Sequence, residues 1–250
     1  MKIFFGLITL IFLTLASATG VEASPPNLVA RYHLNTSNQN WVKDTSGNRL
    51  NGTIVGNLSL IPGKYGHAYD FSQGGYVLVA NNPLLETNTL TVEAWVKAPS
   101  SPGINKYIIS KGVNGINNAS YALYTGNYGG LEFYVSNGNS YYRSPDGGIG
   151  IWDNNWHHVA GTYDGSTVRL FVDGAEVGAG TAINTQISYN YAGGNDLLLG
   201  NYNDTTAYSF SGQVDEIRIW NTALSPDVIF QHNQSNSSTF SLIQDDQIEL

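Results

Sequence analysis

The residues best suited to chemistry lie in an oxygen-rich turn, Asp44-Thr45-Ser46-Gly47-Asn48. Carboxylate, hydroxyl and amide oxygens follow one another along this segment, and Gly47 allows the backbone to turn sharply. Hard cations such as Ca²⁺ bind about six to eight oxygen atoms in proteins. A second aspartate, Asp215, lies in an apolar, strand-like segment near the end of the chain. Asp44 and Asp215 are therefore the candidate metal ligands. The alternative is a hydrogen-bonded Asx-turn at Asp44 and a hydrogen-bonded or solvated Asp215.

Paired carboxylates of the kind that hydrolyse glycosidic bonds do not appear in the sequence pattern. Retaining glycosidases place two carboxyl groups about 5 Å apart, which on one strand requires acidic residues at i and i+2 or i+4. Asp215 and Glu216 are adjacent and so point to opposite faces of a strand, whereas Glu93 and Glu132 are isolated. The sequence therefore favours a protein that is not an enzyme. A hydrolase with carboxylates from two different strands is the less favoured alternative.

Two neighbouring histidines, His157 and His158, resemble a metal-binding pair. Adjacent strand residues diverge, so these side chains are predicted to pack or to form hydrogen bonds instead. The sequence contains no Gly-x-Ser-x-Gly elbow, no P-loop and no dinucleotide-binding fingerprint. Acyl hydrolase, kinase and dehydrogenase functions therefore have no support.

Tyrosine and amide side chains occur together in three loop-like segments. Aromatic faces stack on sugar rings, and amide groups form hydrogen bonds with sugar hydroxyls. The candidate ligand-binding residues are Tyr141, Tyr142, Tyr189, Tyr191, Tyr202 and Asn203. The alternative is that a turn-rich β protein exposes tyrosine and asparagine without any ligand.

The composition limits the classes of protein that could carry these residues. The chain has 250 residues, of which 42% are hydrophobic and 12% are charged, so it can bury a core and does not resemble a disordered protein. Its net charge of −8 argues against nucleic acid as a partner. The absence of cysteine excludes disulfides, zinc–thiolate sites and cysteine nucleophiles.

Short segments of period-2 alternation run through most of the chain, for example at 89–97, 130–136, 156–163 and 166–173. Turn signals such as Asp-Gly and Asn-Gly separate them, which predicts an all-β, antiparallel sandwich or barrel. One short helix is predicted near the end, where Ser225 precedes a proline and an aspartate. No other helix is expected.

The two ends differ from this β-rich region. Residues 1–23 combine a lysine, an apolar run and small-residue cleavage sites, which predicts a signal peptide and a secreted, extracellular protein. An uncleaved membrane anchor is the alternative, and no other segment is apolar enough to span a membrane. The folded domain is predicted to span residues 27–231, followed by a polar, acidic C-terminal tail at 232–250.

Six phrases in order resemble a known family. They are VKDTSGNRLNGTIVG, KYGHAYDFSQGGYVLV, LTVEAWVKA, WHHVAGTYDGSTVRLFVDGAEV, LLLGN and GQVDEIRIWNTALSPDVI. Together they resemble the LamG-like jelly-roll domains of the concanavalin A-like lectin/glucanase superfamily over about residues 27–231. One departure is Phe71-Ser72-Gln73-Gly74-Gly75, where the family often has Phe-Asp-Gly.

This resemblance implies two antiparallel sheets packed face to face, and an extracellular module that binds glycans or cell-surface proteins. Similar domains often hold a structural Ca²⁺ with an aspartate pair, and only Asp44 and Asp215 match that pattern. The first and last strands of jelly rolls commonly pair, which could bring these two residues together. The resemblance specifies no ligand motif. The expected function is therefore an exported, non-catalytic module that binds carbohydrate, with a protein-binding adhesive or structural domain as the alternative.

Overall fold

A computed structural model of the chain describes residues 25–36, 40–112, 119–189, 194–203 and 205–235. The predicted signal peptide, Tyr191 and the predicted tail beyond Ser235 lie outside the described residues.

The described residues include seventeen short strands. They are β1 Leu28–Tyr32, β2 Trp41–Val42, β3 Gly52–Val55, β4 Ser59–Pro62, β5 His67–Asp70, β6 Tyr76–Val79, β7 Leu90–Lys97, β8 Tyr107–Lys111, β9 Tyr121–Thr125, β10 Leu131–Ser136, β11 Tyr141–Arg143, β12 His157–Tyr163, β13 Thr167–Val172, β14 Ala175–Glu176, β15 Thr181–Ala182, β16 Leu197–Leu199 and β17 Gln213–Trp220. Single turns of 3₁₀ helix cover Pro83–Leu85, Ile149–Ile151 and Thr206–Tyr208, and one α-helix, α1, spans Pro226–Gln234.

The strands form two antiparallel sheets that pack face to face, which confirms the predicted β-sandwich. Sheet A has the order β14-β13-β12-β7-β17-β5-β4, and β1 also pairs with β17 and β15 with β13. Sheet B has the order β11-β10-β9-β8-β16-β6-β3-β2. The expected pairing of the first strand with the last is present, because Tyr32 lies opposite Ile217 across β1 and β17.

The main core lies between the sheets and follows the period-2 pattern. The inward-facing residues of β7 are Leu90, Val92, Ala94 and Val96. Gly161 on β12 lets the two sheets approach closely, because a Cβ atom there would lie 2.2 Å from Cγ of the buried Phe133. Both sheets therefore have one face in the core and one outer face.

Helix α1 begins where the sequence predicts, at the N-cap Ser225, whose hydroxyl accepts a hydrogen bond from the Val228 N–H. Its buried Ile229 packs with Phe171 on the outer face of sheet A. The helix continues past the predicted domain boundary at residue 231, and His232 reaches the buried Glu93 at 3.0 Å. Residues 232–234, which lie in the predicted tail, are therefore part of this helix.

Candidate functional site

The outer face of sheet B carries a cluster of tyrosines. On β10, Tyr134 alternates with Phe133 and Val135, which face the core, so its ring points away from the other sheet. The same alternation places Tyr124 of β9 on this outer face. We call the whole set the tyrosine surface: Tyr107, Tyr124, Tyr134, Tyr141, Tyr202 and Tyr208.

Ring contacts hold the tyrosine surface together. Tyr202, from the loop after β16, stacks on Tyr107 with ring centroids 4.8 Å apart and an angle of 21° between the planes. Tyr124 and Tyr134 meet edge to face at 5.0 Å. Burial raises the pKa of both Tyr107 and Tyr124 well above the usual tyrosine value, so their hydroxyls stay protonated at neutral pH. The cluster is therefore a rigid, uncharged platform.

Tyr141 is the accessible part of this platform, with 40% of its surface exposed. Its ring contacts Tyr134 at 5.6 Å, and the guanidinium of Arg143 lies 5.7 Å from its centroid. Arg143 pairs with Glu132 at 3.3 Å, and Glu132 accepts a hydrogen bond from the Tyr124 hydroxyl at 2.9 Å. An exposed aromatic face with ion-paired polar groups beside it can stack on an apolar ring and bind its polar substituents.

The other predicted ligand residues lie partly in the tyrosine surface and partly against the main core. Tyr202 belongs to the tyrosine surface and is buried. Tyr142 follows Tyr141 on β11 and therefore turns the opposite way, toward the main core. Tyr189 also packs against the core, and its hydroxyl donates a 2.7 Å hydrogen bond to the Thr87 carbonyl.

Asn203 lies next to Tyr202 and shapes the loop that brings the Tyr202 ring onto sheet B. Its backbone has a φ of +54°, which asparagine tolerates better than most residues. Its side-chain oxygen accepts a 3.1 Å hydrogen bond from the Thr205 hydroxyl. These contacts place Asn203 in the structure of the loop and not on the exposed face of the tyrosine surface. Tyr191 lies outside the described residues.

Sequence reasoning missed Tyr107, Tyr124 and Tyr134, although a signal for two of them exists. Ala122 and Tyr124 on β9, and Glu132 and Tyr134 on β10, stand two residues apart and therefore share a face. The pairing of these strands aligns the two sets side by side. Only the three-dimensional structure brings in Tyr107 and Tyr202, because they come from distant segments.

Asp44 forms a hub of hydrogen bonds within the turn at 44–50. Its Oδ1 accepts the N–H groups of Arg31 at 3.0 Å and Ser46 at 2.8 Å. Its Oδ2 accepts the Leu50 N–H and the Ser46 hydroxyl, both at 2.9 Å. The bond from Ser46 N–H is that of an Asx-turn, which was the alternative prediction for this residue.

Asp215 is buried and stabilises a different turn, the one between β4 and β5. Its Oδ2 accepts the Tyr65 N–H at 3.0 Å, and its Oδ1 accepts the Glu216 N–H at 2.8 Å. Burial and the adjacent charge of Glu216 raise the pKa of Asp215 to about 8. Hydrogen bonds from backbone N–H groups lower this pKa, but they do not outweigh burial. The carboxyl group thus fixes the β4–β5 turn on β17.

These contacts do not fit a calcium ion shared by Asp44 and Asp215. Each Asp44 oxygen accepts two hydrogen bonds, so a cation would have to displace donors there, and each Asp215 oxygen also accepts a backbone N–H. Among the described residues, no group of three or more histidine, aspartate or glutamate side chains could hold a metal ion. The calcium site stays a prediction, and the geometry favours purely structural roles for the two aspartates.

The two glutamates considered for catalysis are both buried, and they lie on different sheets. Glu93 is fully buried on β7 of sheet A, where Arg218 pairs with it and the Trp220 indole N–H donates a 3.0 Å hydrogen bond to it. Glu132 lies on β10 of sheet B. His157 and His158 diverge as predicted.

His157 contacts the carboxylates of Asp153 at 3.0 Å and Asp173 at 2.7 Å, whereas His158 lies 3.2 Å from Glu93. Each histidine therefore has carboxylate partners within the chain.

Comparisons with known proteins agree with this fold. The family model Laminin_G_3, described as concanavalin A-like lectin/glucanases superfamily, matches residues 71–230. The rat (Rattus norvegicus) protein "Sushi, von Willebrand factor type A, EGF and pentraxin domain-containing protein 1" is 30% identical over 161 residues, which are 61% of this chain. The chain spans only 4% of the length of that relative.

Two solved structures share the fold. Domain 4 of AbnA, a GH43 extracellular arabinanase from Geobacillus stearothermophilus, in complex with arabinotriose, superposes with a TM-score of 0.64 at 23% identity, covering 82% of this chain and 97% of that domain. The binding domain of botulinum neurotoxin DC in complex with rat synaptotagmin II has a TM-score of 0.62 at 15% identity, covering 83% and 51%. No helix among the described residues is long and apolar enough to cross a membrane.

Proposed function

Since the chain belongs to the concanavalin A-like lectin/glucanase superfamily as a laminin G-like jelly-roll domain, we propose that it is an exported, non-catalytic module that binds carbohydrate at a cell surface or in extracellular matrix. The half-exposed ring of Tyr141 on the tyrosine surface carries this proposal. The sequence pattern at 1–23 supports export.

The tyrosine surface has the chemistry that sugars require. The Tyr141 ring supplies a flat apolar face for the C–H groups of a sugar ring. Arg143, whose side chain is about one-third exposed, supplies hydrogen-bond donors beside that face, and the buried Glu132 holds it in place. Because the rings below Tyr141 are packed against one another, little side-chain entropy is lost on binding. The AbnA domain with the same fold is in complex with arabinotriose, which supports this ligand class.

The decisive test compares two exposed tyrosines on a glycan array and by calorimetry. Tyr141→Ala should weaken saccharide binding about tenfold, or about 1.4 kcal/mol, because it removes the stacking face. Tyr128→Ala is the matched control, since Tyr128 is 82% exposed on a separate loop. Its binding should stay at the wild-type level. Equal binding by wild type and Tyr141→Ala would refute the tyrosine surface as the saccharide site.

A protein-binding role is the second candidate, because three large apolar side chains protrude from adjoining loops. Ile104, Tyr128 and Ile149 are 56%, 82% and 61% exposed. Their loops touch at Gly129, which accepts hydrogen bonds from the Ser101 hydroxyl and from a buried indole N–H. Exposed apolar patches often mark protein interfaces.

The two candidates respond differently to the same variants. Ile104→Ser and Tyr128→Ala should abolish capture of a protein partner and leave saccharide binding unchanged, whereas Tyr141→Ala should do the reverse. Adhesion to protein would also give an empty glycan array. Release of reducing sugar from a bound oligosaccharide would instead indicate a hydrolase and refute the non-catalytic assignment.

A further inference from the structure

A cleft of about 400 Å³ lies where the chain passes from β3 of sheet B to β4 of sheet A. Its rim contains Asn40, Asn57, Ser59 and Gln73, with Tyr69 beside them, and we call it the amide cleft. We propose that the amide cleft is a second saccharide site, which takes one or two residues of a neutral sugar chain. This inference takes its ligand class from the proposed function, but it concerns a separate site.

The strands explain why a cleft forms here. Ile54 belongs to β3 of sheet B, whereas Ser59 belongs to β4 of sheet A, and the short loop at 56–58 joins the two sheets. In the described chain β4 pairs only with β5, so its other edge offers backbone N–H and C=O groups. These groups add hydrogen-bonding capacity to the cleft.

The apolar part of the amide cleft is continuous with the core. Ile54, Leu58 and Leu60 are partly buried and pack against the main hydrophobic cluster. The Tyr69 hydroxyl donates a 2.5 Å hydrogen bond to the Thr36 carbonyl, which fixes the orientation of its ring. Ile54, Leu58 and Leu60 therefore give the cleft a small apolar part beside its polar rim, and the C–H face of a sugar can contact it.

The rim supplies matching polar groups. Gln73 donates a 3.2 Å hydrogen bond to the Ser59 hydroxyl, which leaves its amide oxygen to accept another. The Asn40 and Asn57 side chains are exposed and make no hydrogen bond within the described residues. Each amide can both donate and accept, as each sugar hydroxyl does.

The charge and size of the amide cleft narrow the ligand further. All of its lining residues are uncharged, so a charged ligand would lose hydration without gaining a partner. Its volume lies near the lower end of the range for small-molecule sites, about 300–1,000 Å³. A neutral saccharide end fits these limits better than an acidic or a fully apolar ligand.

The test is a two-dimensional NMR titration with arabinotriose, cellotriose and maltotriose as neutral probes and trigalacturonate as the charged probe. The protein is produced without N-glycosylation, because Asn57-Leu58-Ser59 is a glycosylation sequon. We expect saturable shifts at residues 56–60 and at Gln73 with at least one neutral probe. The double variant Asn57→Ala/Gln73→Ala should bind that probe at least tenfold more weakly, whereas the exposed control Gln231→Ala should not.

The outcomes separate the two sites. Shifts confined to residues 132–143, or an unchanged affinity in the double variant, would refute the amide cleft and leave the tyrosine surface standing. Loss of binding in the double variant but not in Tyr141→Ala would support the cleft and refute the tyrosine surface. Equal binding of trigalacturonate would overturn the neutral ligand class. No saturable shift at the cleft with any neutral probe would overturn the proposal even if a glycan array is positive.

Discussion

Replacing Asp44 with asparagine tests whether this carboxylate serves the N–H groups of the chain itself or a calcium ion. The asparagine keeps one oxygen, which can still accept from the Arg31 and Ser46 N–H groups. Its amide nitrogen then faces the Leu50 N–H, which now donates to Oδ2 at 2.9 Å. Two donors oppose each other, and the buried Leu50 N–H loses its acceptor.

The cost follows from these contacts. A buried N–H left without an acceptor costs about 1–3 kcal/mol, and the bonds that remain lose the strengthening of an ionised acceptor, about 1 kcal/mol more. Asp44→Asn should therefore lower the free energy of unfolding by about 2–4 kcal/mol. For a domain of this size, at about 2–4 °C per kcal/mol, that corresponds to a fall of about 4–16 °C in melting temperature.

Thermal melts of metal-stripped protein, with either EDTA or millimolar Ca²⁺, distinguish the two roles. The hydrogen-bond hub predicts the same loss in both conditions. Asp146→Asn is the matched control, because Asp146 is exposed and its oxygen can still accept the Gly148 N–H. Its melting temperature should match that of wild type. If Ca²⁺ stabilises wild type by several degrees while Asp44→Asn matches wild type in EDTA, the hydrogen-bond reasoning is wrong and the calcium prediction holds.

Two further predictions concern the turn at Asp164 and the N-terminus. Hydrogen bonds from Arg169, Ser166 and Thr167 outweigh burial and lower the pKa of Asp164 from 3.8 to about 2. Its stabilising effect should thus be complete above about pH 4 and lost as the pH falls toward 2. Asp164→Asn should cost about 1 kcal/mol in urea melts at pH 7, a figure discounted because the side chain is one-third exposed. The cost should be much smaller at pH 2, where about half of the folded-state carboxyl groups are protonated. A cost that does not change with pH would contradict this. N-terminal sequencing of exported protein should start near Thr19 or Ser24, and a start at Met1 would disprove cleavage.

The sequence predicts the elements whose pattern is local. The alternation along 89–97 appears as β7, and the Ser-Pro-Asp start signal at Ser225 appears as the N-cap of α1. The short strands β2 to β5 carry a weaker signal. β2 has only two residues, and β4 ends in Pro62, which lacks the N–H that a central strand would need.

The candidate site was harder to predict because it depends on strand register. Tyr141 and Tyr142 are neighbours with the same composition around them, yet one is exposed and the other faces the core. The pairing of Tyr141 with Ser136 in a three-residue strand decides which is which. The stacking of Tyr202 on Tyr107 joins residues far apart in the chain, and no local pattern encodes it.

Buried charges in this sandwich find partners within the chain itself. Lys111 is fully buried at one end of sheet B, where its ammonium group contacts Asn81 Oδ1 at 2.7 Å and the Asn195 carbonyl. Burial lowers the pKa of Lys111 to about 8, although the nearby charges of Glu86 and Asp196 raise it. The Lys111 ammonium group thus links separate loops through their oxygen atoms, as a bound metal ion does in other proteins. If EDTA abolishes ligand binding but leaves the melting curve unchanged, any bound metal contacts the ligand and does not stabilise the β-sandwich.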